Sequence, residues 1–303
     1  MVEKAEKNNT ENQKMEELLK IVQQYTEDDF QKIISEKKDF FFLYHLSPMR
    51  RNILEWYPFK KDAKVLEIDA ECGVVTGCIA DKVLQVTSLE NNDLQRQINE
   101  CRNSKKENLR VFTGTYDKME NELERDYDYI VMVGSFAKAP DYFADEKPYH
   151  TFIKSAFNHL KDGGEILIAC DNRIGMKYWS GCQEELYSDY FIGIQDYIGF
   201  DNHKMRNFSK KEIENILQEI SNLEYKFYYP YPDYKFPMAI YSDEYLPKKA
   251  ELSMNIRNFD RSRLLLFDET KAFDGIIGDG LFPEFSNSFL LRIKKDKNLF
   301  EIE

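Results

Sequence analysis

The segment Lys64–Gly77 constrains the fold of this chain more than any other part of the sequence. It is a short apolar run that reaches the acidic Glu67, followed by a loop that ends in glycines and leads into a helix. This order is typical of sites in which a nucleotide-type cofactor lies at a helix N-terminus. Two loop positions where glycine is expected carry Asp69 and Glu71. The sequence therefore predicts a cofactor site and raises the question of whether that site still works.

Strand-like runs alternate with helical patterns from this segment to Cys170, which indicates a parallel sheet covered by helices on both faces. Strands are predicted at 65–68, 85–89, 109–112, 129–133, 165–169, 223–229 and 288–293. Helices are predicted at 74–83, 93–102, 149–160 and 210–220, the last opened by a capping box of Ser209 and Glu212. The fold class predicted from this pattern is α/β, with a Rossmann-like seven-stranded sheet of six parallel strands and one antiparallel strand.

The remaining segments define the predicted domain organisation. Residues 1–14 are charged and Asn-rich, which is typical of a disordered tail. Residues 15–60 have helical spacing and predict an N-terminal helical cap. Residues 61–303 form the predicted sheet domain. Polar, aromatic and proline-rich stretches at about 171–208 and 230–280 are expected to be insertions over the carboxyl edge of the sheet.

Charge and cysteine content restrict the partners and the compartment. The chain has 42 basic and 54 acidic residues and a formal charge of -12. Such a surface repels phosphate backbones and anionic lipid, so we expect neither nucleic acid nor a membrane as the main partner. No apolar run approaches the ~20 residues that span a bilayer, and the first residues lack the apolar core of a signal peptide. Five cysteines without a Cys-x-x-Cys pair are typical of a reduced, cytoplasmic protein.

The order of strand, acidic residue, glycine loop and helix, with Glu90 ending the next strand, resembles the class I S-adenosylmethionine-dependent methyltransferases. Longer strings are similar to a bacterial subgroup of this superfamily that is often linked to cell-surface glycan synthesis. These strings are Tyr44–Arg50, Asp171–Gly181, Tyr228–Pro237, Tyr241–Pro247 and Phe285–Phe289. The resemblance covers about residues 40–294. It implies S-adenosylmethionine as the cofactor and a small-molecule or glycan acceptor.

The resemblance also implies cofactor-binding roles for the loop and for the end of the second strand. Glu67 would orient the methionine amino group. Gly73 and the residues before it, with Asp69 and Glu71 among them, would form the turn along the cofactor. Glu90 would accept hydrogen bonds from both ribose hydroxyls, as the acidic residue about 20 positions after a glycine loop does in dinucleotide sites.

Four further residues receive roles from the same resemblance. Gly114 and Thr115, after the third strand, would border the adenine. Gly134 and Ser135, after the fourth strand, would lie beneath the cofactor.

No grouping of histidine, cysteine and acidic residues has the spacing of metal ligands, so we expect no metal ion.

The loop departs from the superfamily pattern, because only the last of its three glycine positions is glycine. Glycine permits positive φ and close approach of the backbone to a ligand, and another side chain in that conformation costs roughly 1–3 kcal/mol. Asp69 or Glu71 could instead cap the free N–H groups of the next helix and fill the cleft. Alternatively, Glu71 points outward and the cofactor, which carries two cationic groups, tolerates the additional charge.

Asp171, Asn172 and His45 are the candidate catalytic residues. Asp171 and Asn172 follow the fifth strand at the carboxyl edge, where open α/β sheets place ligands. They could orient an acceptor hydroxyl or remove its proton, or Asp171 could simply cap the loop. His45 could act as a base, or it could be a hydrogen-bonded structural histidine.

Arg173, Tyr178 and Trp179 are the candidate substrate-binding residues. The two rings could stack on sugars or form an aromatic lid. They could equally pack the insertion onto the sheet, and Arg173 could form a structural ion pair.

Two classes of function follow from these patterns. The first is a methyltransferase that transfers the methyl group of S-adenosylmethionine to an oxygen or nitrogen of a small molecule or glycan, mainly through alignment of the reactants. The second is a catalytically degenerate protein of the same fold, a pseudoenzyme that binds a partner or ligand. It would act as a homo-oligomer or pair with an active paralogue. A different reaction on the same fold is a third hypothesis.

Overall fold

The computed structural model describes residues 2–199, 204–221, 223–253 and 263–295. The chain forms two compact units, Met1–Glu122 and Leu123–Glu303. Parts of the two predicted insertions, at 200–203 and 254–262, lie outside the described residues.

The first unit contains three parallel strands, with β2 between β1 and β3. The strands are β1 (Lys64–Glu67), β2 (Gln85–Glu90) and β3 (Leu109–Thr113). The helices are α1 (Val2–Gln24), α2 (Glu27–Lys37), α3 (Phe40–Leu46), α4 (Asn52–Glu55), α5 (Thr76–Ala80), α6 (Asp93–Arg102) and α7 (Tyr116–Met119). Short 3-10 turns lie at Pro48–Arg51, Glu71–Gly73 and Glu120–Glu122.

An apolar cluster joins the helical cap to the loop after β1. Leu18 of α1, Phe30 of α2 and Phe42 of α3 are buried with Cys72 of the loop and Ile98 of α6. Burial of such side chains is the main force that holds short helices in place. The cap therefore packs directly on the loop that the sequence predicts to be the cofactor site.

The first helix differs from the sequence-based expectation. It begins at Val2, in the segment 1–14 for which charge and composition predict a disordered tail. The same helix runs on to Gln24, and Met15, Leu18, Ile21 and Val22 in its later part pack in the buried cluster. Composition alone does not reveal that continuation.

The second unit contains five strands. They are β4 (Tyr127–Val133), β5 (Leu160–Asp171), β6 (Glu224–Tyr231), β7 (Ala239–Ser242) and β8 (Ser288–Lys294). The helices are α8 (Ala139–Tyr142), α9 (Pro148–His159), α10 (Met176–Trp179), α11 (Lys210–Ile220), α12 (Glu269–Gly278) and α13 (Phe282–Phe285). Short 3-10 turns lie at Phe136–Lys138 and Glu251–Ser253.

The strand pairing in this unit is mixed. β4 and β5 are parallel, whereas β8 is antiparallel to both β5 and β6, and β7 is antiparallel to β6. β4, β5 and β6 therefore run in one direction, and β7 and β8 run in the other.

The capping box that opens α11 is confirmed, since the Ser209 side chain accepts from the Glu212 backbone and the Glu212 side chain accepts from the Ser209 backbone.

The described residues form eight strands, and the prediction of seven strands was therefore wrong. The additional strand is β7, in a stretch predicted to be irregular because of its prolines. It pairs with β6 alone among the named strands, and Pro237 and Pro247 lie outside it. Prolines beside a short edge strand are compatible with pairing because the ladder does not need their missing N–H groups.

None of the helices in the described ranges combines the length and the apolar character that a bilayer crossing needs.

Candidate active site

The loop after β1 keeps the backbone conformation of a glycine loop although only one of its three glycine positions, Gly73, is glycine. The φ angles are 59° at Asp69, 48° at Glu71, 69° at Cys72 and 72° at Gly73. Side chains rarely adopt this left-handed region, at a cost of roughly 1–3 kcal/mol per residue. Such strain persists only where neighbouring contacts hold the conformation.

Asp69 and Glu71 have the contacts that hold them. The Asn91 side chain donates to Oδ1 of Asp69 at 2.5 Å. The Tyr44 hydroxyl donates to Oε2 of Glu71 at 2.5 Å, and the same oxygen lies 3.3 Å from Nη2 of Arg50. These bonds tie the two substituted positions to the end of β2 and to the helical cap.

The pairing of Arg50 with Glu71 is nearly enclosed. Arg50 is 2% exposed, its guanidinium lies 3.6 Å from the centre of the Tyr44 ring, and its Nη2 donates to the Tyr44 hydroxyl at 2.7 Å. Glu71 thus directs its carboxylate to Tyr44 and Arg50 of the cap. Neither of these two contacts was among the alternatives that the sequence left open.

Gly73 is the one glycine of the loop that close packing requires. A Cβ at this position would lie 2.2 Å from Oδ1 of Asn99. Asn103 also approaches, and donates to the Gly73 carbonyl at 3.0 Å. Gly73 therefore allows α6 to lie directly against the loop.

Glu90 lies at the end of β2 and is fully buried. Its Oε1 accepts the backbone N–H of Cys72 at 3.0 Å and the side-chain amide of Asn99 at 2.9 Å. Its Oε2 is also buried and has no hydrogen-bond partner among the described residues. Burial raises the pKa of Glu90 to about 8. A hydroxyl donor from a ligand would satisfy Oε2, so Glu90 fits the sugar-binding role that the resemblance implies.

Glu67 is buried at the end of β1, where its Oε2 accepts from two hydroxyls. Thr76 donates at 2.5 Å and Ser88 at 3.1 Å. Burial raises the pKa of Glu67 to about 7. Asn99 donates to the same Thr76 and Ser88 hydroxyls at 3.4 and 3.3 Å, so one polar network connects β1, β2, α5 and α6.

Three members of this network, Thr76, Ser88 and Asn99, were missed by the sequence analysis. The signal that could have found them is a polar residue in a segment whose neighbours are apolar. Ser88 lies within the strand β2, for example, and Thr76 among the buried residues of α5.

Gly114 and Thr115 follow β3, and Gly114 contacts the end of β2 at Glu90. The backbone N–H of Gly114 donates to the Glu90 carbonyl at 2.8 Å. Gly114 has a φ of 154°, and a Cβ there would lie 2.6 Å from Met119. Thr115 precedes α7 as its N-terminal cap residue. Their role at the adenine stays a prediction.

Gly134 and Ser135 follow β4 in the second unit. Gly134 has a φ of 83°, and its N–H donates to the Ala169 carbonyl of β5 at 2.9 Å. Ser135 is fully buried, and its hydroxyl has no partner within the described ranges. Their role beneath a cofactor also stays a prediction.

Asp171, at the end of β5, lies between two buried lysines. Nζ of Lys177 is 2.5 Å from Oδ1 and Nζ of Lys235 is 3.6 Å from Oδ2. Burial alone would raise the pKa of Asp171, but the charges of the two lysines outweigh it and lower the pKa below its usual range. Lys235 also pairs with Glu185, and Lys177 with Asp233. An aspartate held ionised in this way is a poor proton acceptor.

Asn172 and Arg173 use their polar groups within the protein. The Asn172 amide donates to the carbonyls of Glu284 and Ser286 at 2.8 and 2.7 Å. Arg173 donates to Glu212 at 2.6 Å and to the Gly193 carbonyl at 2.8 Å. These bonds fix the chain after β5, and a role of either residue in acceptor binding stays a prediction.

The two aromatic candidates lie in different environments. Tyr178 is 3% exposed, and its hydroxyl is buried without a partner among the described residues. Trp179 is 41% exposed and donates to the Ile174 carbonyl at 3.1 Å. Trp179 is therefore the more accessible of the two rings, and a stacking role for either stays a prediction.

His45 is a buried, neutral side chain of α3 in the first unit. Burial and the charge of Arg50 lower its pKa to about 3. Its Nδ1 has no hydrogen-bond partner within the described part of the chain, and its ring lies 4.6 Å from the Phe41 ring. A histidine with so low a pKa is a weak base at neutral pH.

No cluster of three or more histidine, cysteine or acidic side chains in the described part of the chain is arranged to hold a metal ion.

Comparison with known proteins supports the fold. No protein-family model and no curated protein matches the chain. A solved S-adenosylmethionine-dependent methyltransferase from Archaeoglobus fulgidus is similar at 13% identity and a TM-score of 0.52, over 85% of this chain and all of that one. A solved phosphoethanolamine N-methyltransferase 1 from Haemonchus contortus, in complex with phosphoethanolamine and S-adenosylhomocysteine, is similar at 13% identity and a TM-score of 0.51.

The second of these alignments covers 89% of this chain and 49% of that one, so the chain spans about half the length of that relative. At such identities the likeness concerns the fold alone. The chain has the α/β fold of the class I S-adenosylmethionine-dependent methyltransferases.

Proposed function

We propose that the chain is an S-adenosylmethionine-dependent methyltransferase that acts on an oxygen or nitrogen of a small molecule or glycan. The observation that carries this proposal is the state of Glu90. One carboxylate oxygen holds the loop through Cys72 and Asn99, and the other is buried without a partner among the described residues. An unsatisfied buried oxygen is costly, and a ribose hydroxyl would remove that cost.

The loop supports the same proposal. Asp69, Glu71, Cys72 and Gly73 all keep the left-handed conformation of a glycine loop, although three of them are strained by it. Retained strain is typical of ligand-binding loops. When bound, S-adenosylmethionine supplies a methyl group that its sulfonium makes electrophilic.

The residues of this chain would bind and align, and would contribute little acid–base chemistry. Glu90 would hold the ribose and Glu67 would fix the start of α5 through Thr76. Because Oε2 of Glu90 is enclosed, binding requires a movement of Glu90 or of the residues around it. Asp171 stays ionised and His45 stays neutral at pH 7, so alignment of the reactants provides most of the rate.

The second candidate function is that of a pseudoenzyme, and the contacts of Glu71 favour it. This carboxylate occupies a loop position where the superfamily has glycine, and Tyr44 and Arg50 bind it to the cap. The loop is thereby held by the protein itself. Such a protein would bind a partner, a second copy or an active paralogue, without catalysis.

Calorimetric titration of the full chain with S-adenosylmethionine separates the two functions. Micromolar binding to the wild type supports the enzyme. Binding only to the double variant Asp69→Gly, Glu71→Gly supports the pseudoenzyme. Absence of binding to both proteins at millimolar concentrations contradicts a cofactor role for this loop.

Lys38→Gly is the matched control for the double variant. Lys38 also has a positive φ, 50°, but it caps the C-terminus of α2, outside the loop. Its replacement relieves strain of the same kind and is expected to leave cofactor binding unchanged.

A further inference from the structure

The first unit contains a cavity of about 680 Å³ between the turn that joins α1 to α2 and the C-terminal end of α6. Its apolar wall includes Val22, Tyr25, Phe30 and Cys101. Sites for small molecules in proteins usually measure about 300–1,000 Å³. The cavity is therefore large enough for a small organic ligand.

Arg102 lines this cavity without a carboxylate partner. Its Nη2 donates to the His45 carbonyl, and its guanidinium lies 5.9 Å from the Phe30 ring. Its Nε is buried and has no hydrogen-bond partner among the described residues. No carboxylate of the described residues forms an ion pair with the Arg102 guanidinium. Arg102 as a whole is half-buried, and a buried polar atom such as its Nε usually has a hydrogen-bond partner.

The pKa of Arg102 reflects this environment. Burial lowers it to about 10, and the charge of Arg51 adds to the effect. A bound anion would favour the charged form and raise the pKa again.

The other charges of the cavity largely neutralise one another. Arg51 pairs with Glu27, and Lys106 pairs with Asp81. Arg102, Lys105 and Asp28 are the remaining charged residues of the lining, which leaves an excess of one positive charge. This local excess contrasts with the charge of -12 of the whole chain.

We propose that this cavity binds a small organic anion, whose phosphate or carboxylate group pairs with Arg102 and whose apolar body lies against Phe30 and Tyr25. The planar guanidinium fits both anionic groups through paired N–H donors. The cavity shares no lining residue with the loop Asp69–Gly73 or with Glu90, so the proposal does not depend on cofactor binding.

Titration of the full chain with three phenyl compounds tests the proposal. Phenyl phosphate and benzoate carry the two anionic groups, and phenol has the same ring without a charge at neutral pH. Saturable binding of either anion, with no binding of phenol at the same millimolar concentrations, is the expected result. Whichever anion binds more tightly identifies the group that the site prefers. Failure of both anions to bind at millimolar concentrations overturns the proposal.

A matched pair of variants assigns the binding to Arg102. Arg102→Gln is expected to weaken binding roughly tenfold or more, as the loss of a charge-assisted hydrogen bond does. Arg96→Gln is the control, because Arg96 lies on the same helix but pairs with Asp93 and Glu100 outside the cavity. Equal binding to Arg102→Gln and to the wild type contradicts the proposal.

Alkylation of Cys101 tests the site in the wild-type protein, in case Arg102→Gln does not fold. Cys101 lines the cavity and is half-buried, whereas the other four cysteines are buried. Phenyl phosphate or benzoate is expected to slow the reaction of iodoacetamide with Cys101 in a saturable manner. An unchanged rate at saturating anion places the ligand elsewhere and contradicts the proposal.

Discussion

The backbone N–H of Cys72 donates to Oε1 of Glu90 at 3.0 Å. This bond joins the end of β2 to the loop that follows β1, and it holds Cys72 in its left-handed conformation with a φ of 69°. Asn99 of α6 donates to the same oxygen. Glu90 therefore organises the loop with one oxygen and leaves Oε2 for another donor.

Replacement of Glu90 by glutamine is expected to change how stability depends on pH. In the folded protein Glu90 has a pKa of about 8, against an ordinary value of 4.5. The folded state thus keeps a proton that the unfolded chain has lost, so wild-type stability falls as pH rises from about 4.5 to about 8, by about 1.4 kcal/mol per pH unit. Glu90→Gln removes this contribution because the amide does not ionise.

Urea unfolding at several pH values between about 5 and 8 measures the effect. The free energy of unfolding of the wild type should fall relative to that of Glu90→Gln as pH rises. Glu100→Gln, on the exposed face of α6, is the control and should follow the wild type. Parallel curves for the wild type and Glu90→Gln would show that Glu90 titrates normally.

Replacement of Glu71 by glycine is expected to destabilise the protein although it relieves backbone strain. The relief is roughly 1–3 kcal/mol. The change also removes the carboxylate that pairs with the buried Arg50. Breaking such a pair costs about 3–5 kcal/mol, and solvent screening reduces this cost because the Glu71 side chain is 21% exposed. We expect a net loss on the order of 1 kcal/mol.

Lys38→Gly provides the contrast in the same denaturation experiment. Its φ of 50° is relieved without the loss of a buried ion pair, so a gain of about 1 kcal/mol is expected. If both glycine variants stabilise the protein equally, the contacts of Glu71 with Tyr44 and Arg50 contribute nothing.

Replacement of Asp171 by asparagine is expected to be strongly destabilising. The change leaves Lys177 and Lys235 buried with their shared carboxylate removed, which costs about 3–5 kcal/mol. Asp196→Asn is the control. Asp196 also lies between two basic side chains, Arg173 and Arg206, but its side chain is 60% exposed, and such pairs contribute about 1 kcal/mol or less.

The pH dependence gives a second check on Asp171. Its pKa is lowered in the folded state, so its contribution to stability is present above the ordinary pKa of an aspartate and is lost as pH falls below it. The difference between the wild type and Asp171→Asn should therefore shrink in acid. An equal difference at pH 7 and in acid would mean that the charge of Asp171 is not what stabilises the fold.

Local sequence signals predicted much of the fold. The helix α6 has the predicted bounds, 93–102, and the capping box at Ser209 opens α11. Both signals lie within a few residues of the element that they predict. The strand β7 was missed because it is only four residues long and the prolines on either side of it, Pro237 and Pro247, are typical of a loop.

The contacts of the candidate site could not be predicted in the same way. Glu71 pairs with Tyr44, 27 positions away, and Lys235 pairs with Glu185, 50 positions away. The sequence shows that these side chains are charged or polar, but packing decides which of them meet. Sequence reasoning placed Glu90 at the end of a strand but did not show that one of its oxygens holds the loop.

Calorimetric titration with S-adenosylmethionine in two buffers of different ionisation enthalpy measures the protons that binding releases. If ribose hydroxyls donate to Oε2 of Glu90, they favour the ionised carboxylate, lower its pKa from about 8, and release close to one proton per cofactor at about pH 7. Glu90→Gln should bind more weakly and release none. Binding without proton release, identical in Glu90→Gln, would contradict the assignment of Glu90 as the ribose-binding residue.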